Sequence, residues 1–162
     1  MVRFVTICIA CIAVAWPGKA TAQETRLSTD ETVTIAAFIR RALIEAPTDF
    51  VRLRGHKNAD WQYVSTVSFG AAFDHCNVDL DDDTNKWGLE CTSTMRTIST
   101  EDLSAGVERA VNEGLPSGFA FSRGSGDSEP DMTWTGPNGI SVWVIVTLDG
   151  GKVIYVITLD HG

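Results

Sequence analysis

The sequence predicts an α+β fold: two helices packed on one face of an antiparallel sheet of about six strands. Three observations carry it. Two segments place apolar residues at helical spacing behind capping signals. Two others show strand alternation either side of a tight turn. The loops that leave the two helices also match each other, so the chain reads as two tandem αβββ units, about 28–96 and 99–160.

The first helix starts at Ser28-Thr29-Asp30-Glu31, a capping box in which hydroxyl and carboxylate satisfy free backbone N–H groups. Its apolar stripe is Val33, Ile35, Phe38, Ile39, Ala42 and Leu43, and Pro47 stops it. The second starts near Ser99 or Thr100. Its stripe is Leu103, Val107, Ala110 and Val111, with Gly114 as the expected C-cap. The exit loops Pro47–Gly55 and Pro116–Gly124 share Pro, Ser/Thr, Phe, Arg and Gly at a constant offset of 69 residues.

A half-buried strand is expected where Trp61, Tyr63, Ser65, Val67 and Phe69 alternate with mainly polar partners. In the last hairpin, a Gly150-Gly151 turn pairs Asp149 with Lys152. That register sets Leu148 opposite Val153, Val146 opposite Tyr155, Val144 opposite Ile157 and Val142 opposite Leu159. The other face carries Trp143, Ile145, Ile154 and Val156, so these strands are central or form an interface.

The stretch CNVDLDDDTNKWGLEC, 76–91, is the main chemical feature. As a calcium loop counted from Asp79, it places Asp79, Asp81, Asp83 and Glu90 at ligand positions. The sharp-turn position is Thr84 instead of Gly, position eight is Lys86, and the flanks are not helical. As a hairpin, Cys76 faces Cys91, Val78 faces Leu89 and Leu80 faces Trp87, with all six side chains on one face. This register accounts for every apolar residue and makes the cysteines a cross-strand disulfide. It clusters Asp79, Asp81 and Glu90 on the opposite face, near Gly88 and Lys86.

Residues 1–22 read as a secretory signal peptide: Arg3, then the uncharged run 4–16, then Pro17-Gly18 and the Ala20-Thr21-Ala22 cleavage pattern. The run is too short to span a bilayer comfortably. Cleavage would leave one domain, 23–162. Arg3 and Lys19 would leave with the signal, so 13 basic residues fall to 11 against 21 acids, a formal charge of −10. That balance opposes nucleic acid and suits a soluble exported protein, periplasmic or extracellular. Cys76 and Cys91 would then be the only cysteines, too few for zinc without further ligands.

No enzyme motif accompanies these features. His56, His75 and His161 form no metal-ligand spacing, and no Gly-x-Ser-x-Gly elbow is present. The loop Arg123–Asp127 is glycine-rich but runs into Glu129 and Asp131, which oppose phosphate. Arg52, Arg54 and Lys57 form the one basic cluster. The repeat, the export signal and the stapled hairpin together are similar in plan to beta-lactamase inhibitory proteins. That resemblance implies a binding module that uses its sheet, and it assigns no individual residue. The expectation is a small exported protein acting on an unknown protein partner, as an inhibitor, an immunity-type protein or an accessory factor. Asp81, Asp82, Asp83, Trp134 and Trp143 are its candidate partner-binding residues. No cofactor is expected, and no membrane insertion after cleavage. The alternatives are an exported hydrolase with a site built from separated residues, and a calcium-dependent surface module acting through 79–90.

Overall fold

The computed structural model describes residues 26–81, 85–93, 97–125 and 130–161. The expected signal peptide lies outside them. Helix α1 (Thr29–Glu45) is followed by strands β1 (Arg54–Ala59), β2 (Gln62–Ser65), β3 (His75–Asp81) and β4 (Lys86–Thr92). Helix α2 (Thr100–Gly114) is followed by β5 (Ala120–Arg123), β6 (Met132–Thr135), β7 (Ser141–Asp149) and β8 (Lys152–Asp160). The strands form one antiparallel sheet of eight, ordered β1-β2-β3-β4-β8-β7-β6-β5. The expected six strands become eight because β1 and β5 are the two sheet edges. RGHKNA and AFSR are mostly exposed, so they carry no alternating apolar signature.

The helix caps form as the sequence predicts. The Ser28 hydroxyl accepts from Glu31 N, and the Glu31 carboxylate accepts from Ser28 N. Ser99 accepts from Asp102 N at the start of α2. Ile35, Phe38, Ile39 and Ala42 face Leu103, Val107, Ala110 and Val111 in the core. Val33 is 60% exposed instead of joining this stripe. It lies two residues before Ile35, roughly 200° around the helix. Gly114 is the last helical residue, and its neighbour Leu115 caps in an extended conformation. A Cβ at 114 would sit 2.7 Å from Ile39 Cβ and 2.9 Å from Ala36 O. The glycine therefore allows α1 and α2 to approach, instead of supplying a left-handed cap.

The strand expected over 61–69 ends at Ser65. Thr66 N still donates to Leu53 O at 2.8 Å in the register of β1, whereas pairing with β3 ends at Val64. Phe69 then packs edge-on to Phe38, ring centroids 5.1 Å apart. The exit loops also diverge. Residues 46–53 make two 3-10 turns with Asp49 and Phe50 left-handed, whereas the second loop passes through Gly118, φ 101°, straight into β5. The last hairpin has the predicted register, and Gly150 and Gly151 take φ of 54° and 79°, as a primed two-residue turn requires.

Candidate functional site

The β3–β4 hairpin positions the site. Its register pairs Cys76 with Cys91, Val78 with Leu89 and Leu80 with Trp87. The cysteines are joined by a disulfide, with Cα atoms 4.1 Å apart. Val78, Leu89 and both cysteines are buried on the face beneath the helices. The turn tip, with Asp82, Asp83 and Thr84, lies outside the described residues.

On the opposite face, two rows of side chains run across the sheet. One contains Gln62, Asp79, Gly88, Asp160 and Ser141. The next contains Val64, Asn77, Glu90, Thr158 and Trp143. Gly88 leaves a gap between two aspartates, and Glu90 borders it along β4. Trp143 Nε1 donates to Asp160 Oδ2 at 2.7 Å and holds that carboxylate at the edge of the gap. A Cβ at Gly88 would lie 2.5 Å from Asp160 Oδ1, so the floor of the gap must be bare. The result is a slot of about 190 Å³ walled by Trp61 and Trp143.

None of the described residues lining the slot is basic. Burial pushes the Glu90 carboxyl above the ordinary range, and the charge of Asp79 pushes it further. Burial also raises Asp79, partly offset by a hydrogen bond from Gln62. Asp79 Oδ1 is buried without a partner among the described residues. Thr158 is 5% exposed. Its hydroxyl lies close enough to Glu90 to ease that carboxylate's charge, yet Oγ1 makes no hydrogen bond of good geometry among the described residues.

The sequence-derived residues divide around this slot. Asp79, Glu90 and Trp143 line it. Asp81 closes the β3 ladder opposite Lys86. Trp134 is corrected: it is 1% exposed, packed in the core, with Nε1 donating to Asn112 Oδ1 at 2.8 Å. It offers nothing to a partner. The proposed calcium set lies partly outside the described residues. Asp83 falls outside the described residues, and among those described no group of three or more His, Cys, Asp or Glu is arranged to hold a metal ion.

Asp160, Thr158 and Trp61 were not foreseen. Asp160 could be sided from the last hairpin, but nothing local says that β8 pairs with β4. The basic cluster stays away from the slot. Arg54 stacks 3.7 Å over the Trp87 ring, and Lys57 pairs with Asp60 at 2.7 Å. His56 and His75 are exposed, and His161 Nδ1 lies 3.9 Å from Asp49 Oδ1. No Ser-His-Asp set assembles among the described residues.

No family model, curated protein or solved structure matches the chain. Function must therefore be read from the geometry. No helix among the described residues is long and apolar enough to cross a membrane.

Proposed function

We propose that this is a small exported protein that binds another protein through the bare face of its sheet, as an inhibitor, immunity-type protein or accessory factor. One observation carries the reading. The core lies between the helices and one sheet face, leaving Ile145 39% exposed and Trp143, Ile154 and Val156 half-buried on the other. Exposed apolar residues beside a polar slot suit an interface, with an aromatic anchor near its centre. The acidic slot and the net charge of −8 select a partner with a basic contact surface. The order of one helix then four strands, twice, supports reading the halves as related units, in keeping with the plan of beta-lactamase inhibitory proteins. The disulfide supports export, since such bonds persist in oxidising compartments.

The test is capture from exported proteins followed by variants of the face. Ile145→Asp and Trp143→Ala should each abolish retention of the captured partner, while Val33→Ser on exposed α1 should leave it intact. Retention that ignores both face substitutions sinks the reading.

A second reading is an exported hydrolase, favoured by the raised Glu90 carboxyl beside two further carboxylates and two indoles. It requires turnover of a hydrolysable substrate that Glu90→Gln abolishes. Equal turnover by the variant would exclude Glu90 as its acid.

A further inference from the structure

The slot over Gly88 is more specific than a patch of negative charge. Its volume of about 190 Å³ falls below the ~300–1,000 Å³ of small-molecule sites. It has room for one side chain. Asp79 and Asp160 stand on either side of Gly88, two strand spacings or about 10 Å apart along the sheet. None of the described residues lining the slot is basic. The acids are not the only indication of a ligand. Thr158, 95% buried by its 5% exposure, lines the slot with its hydroxyl oxygen unpartnered among the described residues, and Asp79 Oδ1 is in the same state. Asp79 Oδ1 is an acceptor awaiting a donor, and the Thr158 oxygen keeps lone pairs to accept one even with its O–H turned toward Glu90.

A guanidinium group meets these demands together. It carries five N–H donors and no acceptor, remains charged at any working pH, and stacks on aromatic faces. The indoles of Trp61 and Trp143 provide the walls for such stacking. The molecule already uses this pairing once, where Arg54 lies over the Trp87 ring. A hard divalent cation would use the carboxylate oxygens but gain nothing from the two indoles.

We propose that the slot receives the side chain of one arginine from the partner protein, its guanidinium between Trp61 and Trp143 and its donors directed to Asp79, Glu90, Asp160 and Thr158. This rests on the reading of the bare face as a protein interface. The arginine would be the buried charged anchor of that interface, with the apolar residues of β7 and β8 beside it.

The experiment is an NMR titration of the disulfide-intact protein with N-acetyl-arginine methylamide, read at the indole N–H resonances. Its neutral isostere, the citrulline derivative, is the control. Saturable shifts of Trp61 and Trp143, with buried Trp134 unmoved, are expected for arginine and not for citrulline. The isosteric pair Asp79→Asn and Glu90→Gln should weaken binding about tenfold or more. Equal shifts with citrulline, no shift at all, or displacement of the probe by calcium at lower concentration would overturn the proposal. The same variants separate it from the reading beneath it. A captured partner that needs Ile145 but ignores Glu90→Gln overturns the arginine and leaves the interface standing. A specific arginine shift with no face-dependent partner upholds the guanidinium slot and overturns the interface.

Discussion

Strands β3, β4 and β8 carry two faces of opposite character. Beneath the helices lie Val78, Leu89, Cys91, Ile157 and Leu159, all buried and apolar. On the other side of the same backbones lie Asp79, Gly88, Glu90, Thr158 and Asp160, with two acids raised by burial and two buried oxygens, Asp79 Oδ1 and Thr158 Oγ1, unpartnered among the described residues. Alternation along a strand makes these neighbours in sequence into residents of separate environments. Burial on the first face lowers the free energy of the fold. Burial on the second raises it, because for Asp79 and Glu90 the loss of water outweighs the relief that Gln62, His75 and Thr158 supply. The difference teaches where to look for function: in the face that costs stability and is nevertheless built with fixed geometry.

Substitutions should separate the faces by sign as well as by size. The largest effect belongs to the covered face. Leu89→Ala removes a fully buried side chain and should cost about 2–5 kcal/mol in urea unfolding. Replacing Cys76 and Cys91 together by alanine opens a loop with a sequence separation of 15. It should cost about 3 kcal/mol, checked by comparing the same curves with and without reductant. Losses far below these values would mean that the stapled hairpin is not part of the core.

The open face should respond more weakly. Gly88→Ala forces a methyl onto the Asp160 carboxylate held by Trp143. It should cost about 1–3 kcal/mol as overpacking, and it should close the slot. Near-neutral stability with unchanged arginine shifts would show that the gap is not needed. The smallest effect carries the opposite sign. Glu90→Gln keeps the shape and removes a charge, so it should stabilise the protein at neutral pH.

Much of this contrast was legible in the residues. Both hairpin registers follow from apolar pairs anchored by a local marker, the cysteine pair in one and Gly150-Gly151 in the other. That was enough to place Asp79 and Glu90 together and to turn Trp143 away from the core. Trp134 could not be sided in the same way, because the marked turn between β6 and β7, Gly136-Pro137-Asn138-Gly139-Ile140, is longer than a two-residue turn and does not fix one register. The slot as a whole was hidden for a different reason. Its halves belong to two hairpins, and their joining through β4 and β8 is a long-range pairing that leaves no local pattern. The edge strands were hidden because they bury too little to need apolar alternation.

The pH dependence of Glu90 tests the account most directly. Its folded carboxyl is raised above its unfolded value, so the folded chain binds the extra proton in the window between the two. Below the ordinary carboxylate range the group costs nothing, and as pH rises through the raised folded value the cost becomes complete. The groups around it are Asp79 and His75 on β3 and Asp160 and Thr158 on β8. Of these, Asp79 and Asp160 raise it, while His75 and Thr158 lower it. Urea unfolding of wild type and Glu90→Gln should therefore be compared at neutral pH and near pH 4. The account predicts a variant more stable than wild type at neutral pH, with the gap closing as the pH falls. A variant less stable at neutral pH would show that Glu90 serves the fold, and would contradict a face held open for a partner's cation.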